Sequence, residues 1–362
     1  MNSTTVRRAA VPAVAAIALG LGLSGCGAAN EQPANAAGGL TGTLNGAGSS
    51  AQQAAQEAWR AGFQSAHPGV TVNYDPVGSG SGVDQFLSGG VAFAGSDAYL
   101  TTDELAKSKK VCGGQTAIEV PDYVSPIAVV YNLSGVKDLQ LDPKTLAGIF
   151  DGSITKWNDP AIKADNPGVK LPAQRITPVH RSDDSGTTEN FTDYLSQAGR
   201  GAWTHPASET WPVKSGEGAQ GTSGVIQAVT NGAGTIGYAD ASQAGQLTVA
   251  KIKVGSQYVG PTASGAAKAL DASQPVSGRS ASDMAVNLNR TTTAPGAYPL
   301  VLVSYLIGCP SYGSTHTGDL VQQYFSYVLS GQGQQAAAKT AGSAPLSSSF
   351  SKSAEAQANK IK

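Results

Sequence analysis

Charge is scarce in this chain. Of its 362 residues only 24 are Lys or Arg and 25 are Asp or Glu, for a net charge of −1. That balance excludes the basic field that draws nucleic acid. Histidine is scarcer still: His67, His180, His205 and His316 show no H-E-x-x-H pattern and no close pairing, so no metal or other cofactor is expected. His67 sits in a turn beside proline, and His180 reads as a packed side chain rather than a catalytic one. A nucleophile elbow of the form G-x-S-x-G is missing, because the centre of Gly78-Ser79-Gly80-Ser81-Gly82 is a glycine. A G-x-x-x-x-G-K phosphate loop is missing too. These absences weigh against a secreted phosphatase or other hydrolase, and the chain is not expected to be an enzyme. Beyond the N-terminus no run approaches the roughly 18 apolar residues of a membrane span. What is plentiful is glycine, at 45 residues, in a chain long enough for about two domains on the usual length prior.

The first 26 residues read as a leader. Arg7 and Arg8 precede the apolar stretch "AAVPAVAAIALGLGL", which closes on Leu23-Ser24-Gly25-Cys26. A basic flank, a short apolar run and small residues make a secretory signal. The closing tetrapeptide resembles the lipobox of bacterial lipoproteins, which implies a lipid on Cys26 (a diacylglyceryl group, with palmitate) and a protein exported and anchored to the outer face of the cell membrane. A plain signal peptide with an incidental cysteine is the alternative. Residues 27–39 are small and polar, as a flexible tether would be. Only Cys112 and Cys309 then remain. They are either two buried thiols or a disulfide, and export favours the bridge.

Strand-like and helix-like stretches alternate, the pattern of an α/β protein. Residues 40–50 predict a strand and 51–66 a helix stopped by His67-Pro68-Gly69. Thr101 and Glu104 make a capping box for a helix at 101–109. Residues 116–133 are β-like and interrupted by two prolines, as a passage between domains would be. Residues 174–182 predict a strand and 188–199 a helix. Residues 297–308 predict an apolar strand and 317–340 one amphipathic C-terminal helix.

Four loops share one plan of strand, small residues and helix start: Gly46-Ala47-Gly48-Ser49-Ser50, Gly78-Ser79-Gly80-Ser81-Gly82, Gly95-Ser96-Asp97 and Ser182-Asp183-Asp184-Ser185-Gly186-Thr187. The first amides of a helix lack internal acceptors and carry the positive end of its dipole, so they bind anions. Any one such loop is commonly a simple cap. Four together point to a small oxyanion held mostly by neutral donors. Arg181 supplies a planar, permanent cation, and Asp183 can orient it. Asp97 is the puzzle, because a carboxylate repels an anion. It fits an anion that keeps a proton, as phosphate does near neutral pH and sulfate does not. Taken alone, Asp97 reads better as a turn residue or a charge at a helix start.

The segments "LNGAGSSA", "NYDPVGSGSGVDQF", "FAGSDAYLT", "LAGIFDGSITKWNDPAI", "RSDDSGTTENFTDYL" and "AGTIGYAD" together resemble the phosphate-binding proteins of bacterial phosphate-specific (Pst-type) ABC transporters, from about residue 40 onward. The resemblance implies a two-domain periplasmic-binding-protein fold of type II, each domain a mixed sheet flanked by helices, joined by a two-strand hinge. It places domain I at 40–124 and 298–362 and domain II at 125–297. It carries phosphate contacts onto Ser50, Ala51, Ser79, Asp97, Arg181, Ser185, Gly186 and Thr187, with Asp183 as the partner of Arg181. Two departures stand out: Ser50-Ala51 replaces the common Thr-Phe, and Asp184 replaces a common glycine. The implied function is capture of inorganic phosphate and delivery to membrane permease subunits with their ATPase, by a monomer. The alternatives are the hydrolase above, a binding protein for sulfate or molybdate, and a structural lipoprotein or adhesin.

Overall fold

The computed structural model describes residues 39–362, so the leader, Cys26 and nearly all of the tether lie outside the described residues. The chain opens with β1 (Thr41–Gly48) and α1 (Gln53–Ala66), whose inward face is Ala55, Gln56, Trp59 and Phe63 at helical spacing. In β2 (Gly69–Asp75) Val70, Val72 and Tyr74 alternate inward. α2 (Ser79–Leu87) starts inside the Gly/Ser loop itself, directly after Gly78 at φ 106°. β3 (Phe93–Ser96) follows, then α3 (Thr102–Val111), where Thr101 and Glu104 close the expected capping box. β1 pairs parallel with both β2 and β3, which brings the three loops after these strands to one edge.

β4 (Ile118–Asn132) is buried at all but its last residue. It runs antiparallel to β14 (Val301–Gly308) from Ile118 to Pro126, then changes partner and pairs with β8 (Thr235–Asp240) from Ile127 onward. One strand therefore serves two lobes. The second lobe contains β5 (Gln140–Leu141), α4 (Pro143–Asp151), α5 (Pro160–Asp165), β6 (Thr177–Arg181), α6 (Gly186–Ala198), β7 (Glu217–Ala219) and α7 (Gly221–Asn231). After β8 come β9 (Thr248–Val249), β10 (Lys251–Val254), β11 (Gln257–Val259), α8 (Ala263–Asp271), β12 (Gln274–Pro275) and β13 (Val286–Asn287). The large sheet has the order β2-β1-β3-β14-β4-β8-β6-β7, with β9 beside β4. β6 is parallel to β7 and β8, so the loops leading to α6 and α7 also emerge together. Between the lobes, the stretch around Arg279–Val286 returns to the first lobe. There Arg279 Nη1 donates to Leu100 O (2.9 Å) and Met284 N to Glu119 O (3.0 Å).

The single C-terminal helix expected at 317–340 is two helices, α9 (Thr315–Leu329) and α10 (Gly331–Ala341), followed by α11 (Ser348–Ala358). The break is a cap. Ser330 is extended (φ −64°, ψ 158°) and its hydroxyl accepts from Gly333 N, so a new helix starts there. Each half buries an apolar face, and α1 packs against both through Trp59, Phe63 and Tyr324. Cys112 and Cys309 are joined by a disulfide that ties the end of α3 to the end of β14, 197 residues apart. The Lys156-Trp157-Asn158-Asp159-Pro160 segment is structural: Trp157 is fully buried with Nε1 on Gly234 O (3.1 Å), and Asp159 caps α5. Among the described residues no helix is long and apolar enough to cross a membrane.

Candidate anion-binding cleft

The loops singled out from sequence meet face to face between the lobes. The first lobe contributes Ser49–Ala51 after β1, Ser79 at the start of α2, and Asp97 after β3. The second contributes Arg181 at the end of β6 and Ser185–Thr187 at the start of α6. Hydrogen bonds cross directly: Thr187 Oγ1 donates to Asp97 Oδ2 (2.8 Å), and Gly80 N to Asp184 O (3.4 Å). Ser50 Oγ accepts from Thr222 N (3.0 Å) and shares a second bond with Thr222 Oγ1 (3.0 Å). All eight expected contact residues are buried in this one place.

Arg181 is 2% exposed, and burial of a cation requires partners. Its Nε donates to Asp183 Oδ1 (2.7 Å), and its Nη2 pairs with Asp183 Oδ2. A guanidinium has about five N–H donors, so this fork leaves three for an anion. Burial works to raise the Asp183 carboxyl. The hydrogen bonds and charge of Arg181, with Gly221 N at 3.0 Å, outweigh it and hold Asp183 below its ordinary range. Beneath lies an aromatic floor, in which Tyr238 stacks on Phe191 with ring centroids 4.2 Å apart. The Tyr238 hydroxyl accepts from Arg181 N (3.2 Å) and bonds Thr188 Oγ1 (2.7 Å), so the core fixes the end of β6. His180 does pack: it stacks on Trp211 with centroids 5.0 Å apart.

Asp97 is fully enclosed, and burial raises its carboxyl above the usual range. Hydrogen bonds from Ser304, Ser49 and Thr187 and the charge of Arg181 pull the other way. Ser304 Oγ donates to Oδ1 and Thr187 Oγ1 to Oδ2. A carboxylate has about four lone-pair sites, so these three donors, Ser49 included, still leave one for a proton carried by a ligand. Ser79 Oγ accepts from Asp97 N (3.1 Å), and Ala51 N donates to Ser49 Oγ (3.0 Å). Asp184, the departure that adds a charge, is exposed, and its Oδ1 accepts from Thr210 Oγ1 (2.6 Å).

Sequence reasoning missed Ser49, Gly221, Thr222 and Ser304. Gly221-Thr222 opens α7 on the same plan as the four loops, with Gly221 at φ 67°, a conformation that favours glycine. Ser304 had one signal, a lone hydroxyl inside the apolar run "LVLVSYLIG". Gly186 matters for a steric reason. A Cβ there would lie 2.7 Å from Ala98 N and 2.8 Å from Ser79 Oγ, both on the opposite lobe. Gly186→Ala should therefore prop the lobes apart. Overpacking costs about 1–3 kcal/mol, or roughly ten- to a hundredfold in anion affinity, read by calorimetry alongside a larger radius of gyration by small-angle scattering.

A mixed sheet bridged by crossing strands, with helix starts of two lobes facing across a cleft, is the architecture of the periplasmic-binding-protein class. The chain matches the PBP superfamily domain over residues 33–332. Phosphate-binding protein PstS 3 of Mycobacterium tuberculosis is 39% identical over 346 residues, covering 89% of this chain and 90% of that protein. Phosphate-binding protein PstS 2 of the same species is 37% identical over 366 residues, covering 96% and 98%. A high-affinity periplasmic phosphate-binding protein, PfluDING, solved with phosphate bound, has a TM-score of 0.73 at 24% identity, covering 87% of this chain and 93% of that one; at this identity the likeness concerns the fold. The chain belongs to the PstS family of phosphate-binding proteins, within the PBP superfamily.

Proposed function

We propose that the protein binds inorganic phosphate in this cleft and hands it to the permease of an ABC transporter. The observation that carries the reading is the pairing of Asp97 with a ring of donors and one cation. Ser50, Ala51, Ser79, Ser185, Gly186 and Thr187 offer neutral N–H and O–H groups, Arg181 offers charge, and Asp97 accepts a P–OH hydrogen. An anion lacking that hydrogen would set oxygen against carboxylate with nothing between them. A site built to pair a ligand OH rejects the analogue without it by about 10⁴–10⁵.

Closure completes the site. Domain I (40–124 and 298–362) and domain II (125–297) hinge where β4 changes partner and β14 returns, with the Arg279–Val286 stretch reaching back across. Excluding water strengthens every hydrogen bond to the ion, and the closed form is what the permease recognises. The protein acts as a monomer and not as an enzyme. It is exported and held at the outer face of the membrane by lipid on Cys26, and the Cys112–Cys309 bridge suits that oxidising location.

Isothermal titration of phosphate, then sulfate, into purified protein tests the reading. Saturable phosphate binding that excess sulfate does not displace supports it. Sulfate competing at equal concentration, or turnover of a chromogenic phosphate ester, overturns it.

A further inference from the structure

Arg290 lies outside the ligand-facing set, in the loop between β13 and β14, yet it is 2% exposed. Its Nε donates to Asp193 Oδ2 (2.7 Å), and its Nη1 to the carbonyls of Val301 (2.6 Å) and Pro299 (3.3 Å). Its Nη2 donates to Asn190 Oδ1 (2.6 Å). Arginine has no acceptor, so the oxygen of the Asn190 amide must face it and the NH2 group must face away. On that far side stand two acceptors. Asn190 Nδ2 donates to Gly186 O (2.8 Å), one turn back on α6, and to Asp97 O (2.7 Å), on the opposite lobe.

Every hydrogen-bonding choice of that amide is thus dictated by Arg290. The bond to Asp97 O spans the cleft, so it exists only while the lobes are together. The Val301 and Pro299 carbonyls belong to the return of β14 through the hinge, so the same guanidinium anchors α6 to the hinge strand. We propose that Arg290 and Asn190 form a closure latch: Arg290 is a positioning residue that aims the Asn190 amide at the Asp97 carbonyl and holds the loaded cleft shut without touching the ligand. This rests on the phosphate-binding reading and assigns a part of the closed form that contacts no phosphate.

A latch acts on release. Encounter occurs with the open form, and affinity differences within one site fall mostly on the off-rate. Two variants separate the roles. Asn190→Ala removes the amide. Asn190→Asp keeps the acceptor that Arg290 needs, and so the buried pairing, but sets a carboxylate oxygen against two carbonyls. By stopped-flow with inorganic phosphate, both should release roughly ten times faster than wild type, about the worth of one well-placed buried hydrogen bond, with association little changed. The phosphate-to-sulfate preference should stay at the wild-type ratio, since the latch meets neither ion. Arg290→Lys, which keeps a cation for Asp193 but loses the fork, should move release in the same direction. Wild-type release rates in both Asn190 variants would overturn the latch, as would a changed anion preference, which would place Asn190 in the ligand site itself. If wild-type protein takes up no phosphate, the functional reading fails and the latch falls with it; if wild type binds and the variants behave identically to it, the latch alone fails.

Discussion

Arg181→Ala should weaken phosphate binding by about a hundred- to several thousandfold, the effect of breaking a buried charge pair at roughly 3–5 kcal/mol. Two losses add. The ion loses the only cation among its expected contacts, and Asp183 loses the fork that neutralises it while keeping Gly221 N as a donor. An unpaired carboxylate beside the site then opposes the anion directly. Arg181→Lys should recover only part of the loss, because an ammonium cannot make two parallel bonds to Asp183 and still aim donors at the cleft. Calorimetry on the three proteins, with denaturant midpoints, separates binding from folding. The pair also sets an acid limb. Because Asp183 is held below its ordinary range, its contribution to stability is present above about pH 4 and lost as pH falls through the depressed value. In Arg181→Ala that limb should disappear.

Asp97→Asn should change preference more than affinity. In the wild type, a sulfate oxygen facing Asp97 meets an acceptor and a negative charge. In the variant the amide can accept from Ser304 or Thr187 through its oxygen and turn N–H toward the ion, because those hydroxyls rotate to suit. Rejection of sulfate, about 10⁴–10⁵ by the logic of an unmatched ligand hydroxyl, should fall by at least two powers of ten. Phosphate, which has both P–OH and P–O groups, should lose only about tenfold, the scale of one hydrogen bond. Competition titration reads both numbers. An equal loss for the two ions would show that Asp97 braces the cleft and does not sort ligands.

The parts of this molecule legible in sequence are those set by neighbours in the chain. The α1 face repeats every three to four residues, the Thr101–Glu104 box spans one turn, and the loops at Gly78–Gly82 and Ser182–Thr187 run straight into α2 and α6; Gly95-Ser96-Asp97 does not, because α3 starts only at Thr102 behind its Thr101 cap. The fork between Arg181 and Asp183 spans two residues and was readable for the same reason. What escaped is set by distant pairing. Ser304 reaches Asp97 across 207 positions and Thr222 reaches Ser50 across 172, and the local cues, a lone hydroxyl in an apolar run and a Gly-Thr helix start, do not say which residue each one meets. The break at Ser330 was hidden because residues on both sides keep helical periodicity, while the cap is a single serine. β4 runs unbroken through two prolines because Pro121 adjoins a bulge opposite Ser304 and Tyr305, and Pro126 is the last residue before the partner change. A missing donor is tolerated at such irregular points.

A crystal structure of the protein grown with phosphate tests the central claim most directly. The account predicts one tetrahedral ion between the lobes, with an oxygen within hydrogen-bond distance of Asp97, another on Arg181, and the Ser50 and Ser79 hydroxyls and the Thr187 backbone N–H donating around it. An ion bound elsewhere, or one in the cleft whose oxygens all avoid Asp97, would contradict it.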